Sequence, residues 1–448
     1  MVLCPAMSTA PTPIKAKRLN LLFDHNPPES EDLIRDLFCN RTIEMELGLD
    51  GLRSPDCVGK IQAIYGLSRS GKSHFARALL LRAKQEGLPY LFVEVNANNR
   101  GTAKAVLEEV YFKLMALFRS VPSEDVPGGQ TGVYDEYLAE LAQYERIVGR
   151  DSVQFTIERS ISRRESTDGG LKLAQPPFEL SWTGKSEEES GSKDGLSQSS
   201  LTERELTEVL RYAVDALSWL YSSEDKDKSK QVLLLIDDVD LLDSKGREGQ
   251  PESDVLVDHL RMLAEHPSLS GRQPCRVIAT IRNALFTDRE KDYCDFVGLR
   301  LLEKENHLEI YQRHIDLFNA GSTVFSADTL EWLEERSGGQ IGIFLRRCQE
   351  ISKFFYSELK AGQQISIEQI KVYIKKDVRD HVRNVEVAAV MGEVLAAVRS
   401  GKTELELVEA PRALEFKVLH HTGEARKYRI NSMYAEVIRD MQSRKELP

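Results

Sequence analysis

The chain has 448 residues, of which 41% are hydrophobic and 29% charged, and its formal net charge is −11. This length allows about two to four domains, and no apolar stretch approaches the ~20 residues that a membrane-spanning helix requires. The acidic balance argues against a protein that coats nucleic acid along its whole surface, but it leaves room for one local basic face.

The cysteines and the N-terminus bear on the compartment. The six cysteines are scattered and form no C-x-x-C pair. The N-terminus lacks the basic start and the long apolar core of a signal peptide. We therefore expect a cytoplasmic protein that does not associate with membranes and whose thiols are reduced and mostly structural.

Residues 1–45 are predicted to form an extended arm followed by a helix. A helical pattern of apolar residues begins near Glu29 and continues to Asp50. The arm before it is rich in proline, which disfavours regular structure. Its prolines are Pro5, Pro11, Pro13, Pro27 and Pro28.

Residues 66–73 match the phosphate-binding pattern G-x-x-x-x-G-K-[ST] and lie between a short apolar strand, 61–65, and the apolar face of a helix. In such a loop, successive backbone N–H groups converge on a phosphate. Lys72 then reaches the β/γ-phosphates, and the Ser73 hydroxyl can ligate Mg²⁺. The alternative is a glycine turn with an incidental lysine. The residues predicted at the nucleotide are Gly66, Ser68, Arg69, Ser70, Gly71, Lys72, Ser73 and His74. Of these, His74 is expected to pack in the helix rather than to act in catalysis.

A second strand (90–95) and an apolar helix (102–118) follow, after which the regular pattern stops until about residue 200. Residues 154–157 and 178–182 have the composition of two hairpin strands within a stretch rich in Gly, Pro, Ser and charge. We predict a partly disordered insertion over about 120–200. A solvated surface loop is one interpretation, and a lid, oligomer or partner contact is the other.

A second motif follows a capping box, Thr202–Glu205, which predicts a helix start. The branched apolar run 232–236 leads into Asp237 and Asp238 and is typical of a central parallel strand. Ligands of open α/β sheets bind at the carboxyl ends of strands. In P-loop NTPases the first acid holds the Mg²⁺ shell, and the second can orient or deprotonate the attacking water. We predict Ser73 and Asp237 as metal ligands and Asp238 as catalytic, with a solvated acidic turn as the alternative.

Strands and helices continue to alternate after this motif. A helix at 252–265 leads to a strand at 276–281, and a further short strand is predicted at 297–302. The alternation predicts an α/β fold with a doubly wound parallel sheet, as a P-loop core over 46–300.

The C-terminal third has a different pattern. Residues 301–382 show only helical periodicity and are predicted to form a helical lid. Residues 383–448 combine helices with two strands joined by a glycine-containing turn, which predicts a winged-helix-like domain.

Together these motifs resemble the branch of AAA+/STAND ATPases that contains origin-recognition-like and NB-ARC-like proteins, over roughly residues 35–120 and 200–445. The resemblance implies that Arg41, in a sequence similar to the R-E-x-E-L helix of these families, lies near the adenine. It also implies that Arg282 and Asn283, at the end of a sensor strand, read the γ-phosphate and act in catalysis.

The lid departs from that pattern at Gly342, where AAA+ lids often have an arginine. Arg346 and Arg347 follow, either as second sensors or as solvated helix residues. An arginine finger acting across subunits is frequent in such enzymes. Arg289 and Arg300 are candidates by position, with ordinary surface arginines as the alternative.

We therefore expect an ATP-binding and ATP-hydrolysing molecular switch with ATP and Mg²⁺ as cofactors, in which Lys72 also contributes to catalysis. Its nucleotide state would control assembly into a homo-oligomer or with a partner effector protein. By resemblance, the plausible tasks are a bacterial conflict system such as antiphage defence, transposition, or origin-like DNA binding.

Two other functions stay open. A DNA-binding initiator or transposition regulator would act through the winged helix at residues 412–445, where Arg426, Lys427 and Arg429 form a modest basic patch diluted by carboxylates. A small-molecule kinase could use the same loop, but it gives the lid and the tail no obvious role.

Overall fold

The computed structural model describes residues 23, 30–54, 59–67, 69–122, 126, 130–149, 155–158, 179–181, 196–198, 200–222, 229–242, 251–266, 274–282, 294–317, 324–361, 363, 365–383, 388–406, 419–421 and 427–444. In chain order, the strands are β1 (Ile61–Gly66), β2 (Tyr90–Asn96), β3 (Phe155–Glu158), β4 (Glu179–Ser181), β5 (Leu196–Gln198), β6 (Gln231–Asp237), β7 (Cys275–Arg282), β8 (Cys294–Gly298), β9 (Glu404–Glu406), β10 (Leu419–His421) and β11 (Lys427–Ile430).

The helices are α1 (Glu31–Leu37), α2 (Thr42–Arg53), α3 (Lys72–Gln85), α4 (Ala103–Arg119), α5 (Thr131–Glu145), α6 (Glu203–Leu220), α7 (Glu252–Ala264), α8 (Lys304–Leu317), α9 (Ala327–Ser337), α10 (Ile341–Phe354), α11 (Tyr356–Lys360), α12 (Ile367–Arg383), α13 (Ala388–Arg399) and α14 (Ser432–Ser443). Among the residues described, no helix is both long and apolar enough to cross a membrane.

The central sheet has five parallel strands within the described ranges, in the order β2-β6-β7-β1-β8. Residues 232–236 of β6 are fully buried, as expected for a continuous branched run at the centre of a parallel sheet. β1 lies between β7 and β8, with Ile64 opposite Thr280. Because all five strands run in one direction, the phosphate loop after β1 and the acid pair after β6 open on the same edge.

Helices cover both faces of this sheet. Successive residues of a strand point to opposite faces, so the continuous apolar run of β6 has side chains to bury on each of them. Leu234 belongs to the apolar cluster that α4, α6 and α7 complete on one face. Leu233 and Leu235 belong to the cluster that α2 and α3 complete on the other face. The predicted α/β fold with a doubly wound parallel sheet is confirmed.

The short strand predicted at 297–302 is wrong in its position. β8 ends at Gly298, and only Leu299 continues the ladder, through its N–H to the Tyr65 carbonyl at 2.8 Å. Arg300 and Leu301 are exposed. The apolar leucines at 299, 301 and 302 therefore belong to the link between the sheet and the lid rather than to a strand.

Part of the predicted insertion at 120–200 belongs to the core. Helix α5 packs Tyr137 against Trp219, with ring centroids 5.3 Å apart, and stacks Tyr134 on Phe118 at 5.0 Å. The composition of the surrounding stretch concealed this helix. The predicted hairpin is confirmed at the backbone level as β3 and β4, and β5 adds a third antiparallel strand that the sequence did not suggest.

The predicted helical lid and the tail share one apolar core. Phe344 of α10 and Ile370 of α12 lie in the same cluster as Tyr434 and Ile438 of α14. In the tail, β10, β11 and β9 form an antiparallel sheet in that order. Within the lid, α10 and α11 are separated at Phe355. The domain boundaries and the winged-helix assignment stay predictions.

The N-terminal arm is attached to the lid through Phe23. This side chain is fully buried, and its ring stacks on that of Tyr311 at 5.1 Å with an interplanar angle of 11°. Nearby, Arg313 of α8 donates to the carbonyls of Asp36 at 3.1 Å and Phe38 at 2.7 Å, just where α1 ends. Phe23 therefore packs inside the lid, and the end of α1 is hydrogen-bonded to it.

Phe23→Ala should lower the free energy of unfolding by about 3–5 kcal/mol, because it leaves a cavity inside the lid. Phe354→Ala is the matched control, since this lid phenylalanine is 54% exposed and its loss should cost far less. Urea unfolding of both variants measures the difference. Equal losses would show that Phe23 does not anchor the arm.

Candidate nucleotide-binding site

The phosphate loop joins β1 to α3 through two unusual backbone positions. Gly71 has φ 90° and ψ 23°, in the left-handed region that favours glycine, and it precedes the first residue of α3. Arg69 also has a positive φ, 62°. A Cβ on Gly66 would lie 2.9 Å from Ser70 Oγ and 3.0 Å from the Leu299 carbonyl, so this glycine allows the loop to close tightly. The N-terminus of α3, with its positive dipole end, faces the loop.

Lys72 lies inside this loop. Its ammonium donates hydrogen bonds to the carbonyls of Gly66 at 3.1 Å and Leu67 at 3.0 Å, and the side chain is buried. The cation is therefore held at the centre of the turn, where an anionic ligand of the loop amides would meet it. The role of Lys72 at the β/γ-phosphates stays a prediction.

Arg41 is bonded to the back of the loop. Its guanidinium donates to the Ser70 carbonyl at 2.9 Å and to the Arg300 carbonyl at 2.7 Å, and it pairs with Glu44 at 3.3 Å. Burial lowers the pKa of Arg41, while the Glu44 carboxylate acts in the opposite direction. All these partners belong to the protein, so the side chain fixes the loop and the link to the lid. An adenine contact stays a prediction.

The acid pair is joined to the loop and to β7. The Ser73 side chain is hydrogen-bonded to Asp237. Thr280 is fully buried and donates its hydroxyl to Asp237 Oδ1 at 2.6 Å. The same hydroxyl accepts the backbone N–H of Asp238 at 2.8 Å. One side chain of β7 therefore fixes both acids of β6.

Burial, together with the neighbouring Asp238 carboxylate, raises the pKa of Asp237 to about 6. The hydrogen bonds from Thr280 and Ser73 and the charge of Arg77 act in the opposite direction. A nearby cation would stabilise the ionised form of this carboxyl, because it would offset both the cost of burial and the repulsion between the two carboxylates.

Asp238 lies in the left-handed region, with φ 58° and ψ 39°, which turns the chain sharply after β6. Its carboxylate accepts a hydrogen bond from Asn96 Nδ2 at 3.2 Å, and the same amide approaches Asp237 Oδ2 at 3.4 Å. Asn96 ends β2, the strand adjacent to β6. The Asp238 side chain is half-buried, so it can face a ligand in the loop.

Some predicted residues are not part of this arrangement. His74 donates its Nε2–H to the Ile34 carbonyl at 3.0 Å, and its ring packs edge-on against Phe38. Burial lowers its pKa to about 4. It is a packed, neutral histidine, as the sequence favoured. Arg282 ends β7 opposite Gly66, but its side chain is outside the described residues, as are Ser68 and Asn283.

The two lid arginines have partners within the lid and tail. Arg347 is buried and pairs with Glu350 at 2.8 Å and Asp377 at 3.5 Å. Arg346 pairs with Glu350 at 2.9 Å. Arg347 therefore belongs to the core shared by lid and tail, and it is not the solvated helix residue considered above.

Sequence reasoning missed Thr280 and Asn96 as members of the site. The available signal was positional, because both are polar residues close to the carboxyl ends of strands that flank β6. Polar side chains there converge on the ligand edge of a parallel sheet.

The donor atoms fit Mg²⁺. The Ser73 hydroxyl and the Asp237 carboxylate are adjacent oxygen donors, and Mg²⁺ at nucleotide sites is held by one or two protein ligands together with phosphates and water. Within the described ranges, no group of three or more His, Cys, Asp and Glu side chains could hold a metal by itself. The donor set therefore suits a metal that a nucleotide brings with it.

No protein-family model matches the sequence, and no curated protein gives a significant match. Several solved structures are similar at low identity. The Aeropyrum pernix ORC2 protein in its ADPNP-ADP complexes shares 14% identity, covering 96% of this chain and 90% of its own, with a TM-score of 0.44. The Aeropyrum pernix ORC1 protein in complex with DNA shares 12% (97% and 99% covered, TM-score 0.41).

Drosophila ORC bound to DNA shares 13% identity over 98% of this chain and 96% of that chain, with a TM-score of 0.39. At these identities and TM-scores, the likeness carries no argument about family or function. None of these structures supports the STAND branch or a role in defence. The site is therefore interpreted from its own geometry.

The raised pKa of Asp237 predicts a pH-dependent metal site. Below about pH 6 the carboxyl is protonated and a proton competes with Mg²⁺, so Mg²⁺–nucleotide affinity should fall about 4-fold between pH 7.5 and pH 5.5. Titration calorimetry of the wild type and of Asp237→Asn at both pH values separates this effect from protonation of the nucleotide, which affects both proteins equally. An identical pH dependence in the two proteins would contradict the assignment of Asp237.

Proposed function

We propose that this chain binds and hydrolyses Mg²⁺–ATP at the loop between β1 and α3. The arrangement that supports the proposal is the bonded series Ser73, Asp237, Thr280 and Asp238. It joins a phosphate-loop hydroxyl to two acids at the carboxyl edge of a parallel sheet, which is where an α/β fold holds a nucleotide. A bland acidic turn would not need a fully buried threonine to join its two acids to a neighbouring strand.

The proposed role of each residue follows from its position in the site. The loop amides and Lys72 bind the phosphates. Ser73 and Asp237 would hold Mg²⁺, which would neutralise the negative charge that develops on the phosphates. Asp238 orients the attacking water and accepts its proton. Asn96 and Thr280 position Asp238 from two sides, through its carboxylate and its backbone N–H.

The nucleotide state is proposed to control assembly, either of copies of this chain or with a partner effector protein. Arg300, a candidate finger, has an exposed side chain, and its carbonyl accepts from Arg41 beside the loop. The other candidate, Arg289, lies outside the described residues. Antiphage defence and transposition stay possible cellular tasks by resemblance alone.

Lys72→Ala should abolish ATP binding, because it removes the buried cation from the centre of the loop. Asp238→Asn should keep Mg²⁺–ATP binding but lower the hydrolysis rate by about 10²–10⁴-fold, since asparagine cannot accept the proton. Calorimetry and phosphate release measure the two effects. A Lys72→Ala protein with wild-type affinity, or an Asp238→Asn protein with wild-type turnover, would refute these roles.

A DNA-binding initiator is the second candidate, and the tail contains the observations that bear on it. Arg429 on β11 is exposed but pairs with Glu404 at 3.2 Å. Two further ion pairs connect the tail helix α14 with the lid, Arg336 to Glu436 at 3.4 Å and Arg379 to Asp440 at 2.9 Å. These contacts favour a winged-helix-like clamp on the lid over a free DNA-reading surface.

Binding of duplex DNA distinguishes the two roles. If the tail reads DNA, replacing Arg426, Lys427 and Arg429 with Ala in the full chain should reduce the log–log salt slope by roughly 2–3. The charge-matched control is the variant in which Lys353, Lys360 and Lys371 are replaced together with Ala. For a clamp, both proteins should show only weak binding, and Glu436→Gln should raise basal ATPase. ATPase assays with and without DNA also test the small-molecule kinase alternative.

A further inference from the structure

Three glycines lie between α9 and the first turn of α10, at positions 338, 339 and 342. Gly338, with φ 60°, ends α9 in the left-handed conformation. Gly339, with φ 77°, lies against Leu301, whose Cβ would be 3.3 Å from an added Cβ. Gly342 is different, because its φ is outside the left-handed region. Backbone conformation therefore does not explain why residue 342 is a glycine.

Contact with the phosphate loop does explain it. The N–H of Gly342 donates to the Arg69 carbonyl at 3.0 Å. A Cβ on Gly342 would lie 3.0 Å from Arg69 Cβ and 3.2 Å from both its Cδ and its carbonyl oxygen. The first turn of α10 thus lies directly on the loop, and a methyl group at this position would fit only if Arg69 shifted by a few tenths of an ångström.

The carbonyl that Gly342 holds belongs to a rigid unit. A trans peptide is planar, so the Arg69 carbonyl and the Ser70 N–H point in opposite directions and turn together. The next peptide unit is held by its Ser70 carbonyl, which accepts from Arg41 at 2.9 Å. The Ser70 N–H donates in turn to the Leu67 carbonyl at 3.2 Å, which closes the turn of the loop. Two successive loop peptides, Arg69–Ser70 and Ser70–Gly71, are therefore held from behind. The lid orients the first, and the helix α2 with its preceding residue orients the second.

We propose that Gly342 is a positioning residue that couples the lid to phosphate affinity. Its N–H fixes the Arg69–Ser70 peptide, and with it the Ser70 N–H that closes the loop on the Leu67 carbonyl at 3.2 Å. By linkage, a phosphate that binds the loop in this conformation stabilises the lid contact to the same extent. The lid thus senses the nucleotide through a backbone hydrogen bond at the position where the related lids have an arginine side chain. This inference rests on the proposed nucleotide binding.

Gly342→Ala should weaken Mg²⁺–ADP binding about 2–10-fold, as expected for the loss of one hydrogen bond. Gly132→Ala is the matched control: it is also the second residue of a helix, α5, but nothing lies within 4 Å of its added Cβ. Helix propensity favours alanine at both positions, so it cannot account for opposite outcomes. The control should bind Mg²⁺–ADP as the wild type does.

A second substitution tests the contact itself. Arg69→Gly removes the Cβ and Cδ that an alanine at 342 would meet, and glycine adopts φ 62° without strain. In the double variant Gly342→Ala, Arg69→Gly, the alanine should therefore weaken binding much less than it does in the wild-type background. Fully additive effects of the two substitutions, or no effect of Gly342→Ala, would overturn the proposal.

A measurement on the wild-type protein does not depend on any variant folding. Mg²⁺–ADP should slow amide hydrogen exchange in residues 341–346, as well as in the loop. Protection of the loop without protection of 341–346 would refute the coupling while leaving the proposed nucleotide site intact. Absence of any nucleotide binding by the wild type would instead refute the proposed function.

Discussion

The hydroxyl of Thr280 is the contact on which the geometry of this site depends. Burying a carboxylate is costly unless hydrogen bonds compensate for the lost water, and Asp237 is almost completely buried at the end of β6. Thr280 supplies that compensation at 2.6 Å and uses its remaining acceptor for the Asp238 N–H. Because its own strand, β7, lies between β6 and β1, the same residue also fixes how the acid pair faces the phosphate loop.

Helix α2 connects this edge of the sheet to the opposite one. At its start, Arg41 is bonded to the phosphate loop. At its end, Tyr90 donates to the Leu52 carbonyl at 2.6 Å and Arg276 to the Ser54 carbonyl at 2.8 Å. Gln62 binds the helix midway, at the Gly48 carbonyl, at 2.8 Å. Side chains from β1, β2 and β7 therefore fix the helix, and the helix fixes the part of the loop that Arg41 holds.

Much of the sheet could be predicted from the sequence because its signals are local. The apolar run 232–236, the glycine pattern at 66–73 and the capping box at 202–205 each depend on neighbouring residues alone. What failed depended on tertiary contacts. Helix α5 lies in a stretch whose Gly, Pro and Ser content suggests a loop, and its tyrosines are buried only because α4 and α6 are there. The leucines after Gly298 had the composition of a strand, but only Leu299 bonds to the neighbouring strand β1.

The candidate site was likewise predictable where the signal is local and unpredictable where it depends on tertiary contacts. The residue types at the loop and after β6 predicted Lys72, Ser73, Asp237 and Asp238, and the structure brings Ser73 and Asp237 together. The carbonyl partners of Arg41 and Gly342 could not be predicted, because backbone carbonyls carry no signal in sequence. Arg347 could be placed on a helix, but its burial depends on α12 and α14, which lie far along the chain.

The shared core of lid and tail limits how the molecule can respond to a nucleotide. Arg347 is buried between Glu350, Asp377 and the Tyr434 side chain of α14. Separating the tail from the lid would leave this charge without its partners, and an uncompensated buried charge is strongly destabilising. A movement of α10 away from the phosphate loop must therefore carry the tail with it. In the proposed coupling, the backbone contact at Gly342 would then move the lid and the tail together.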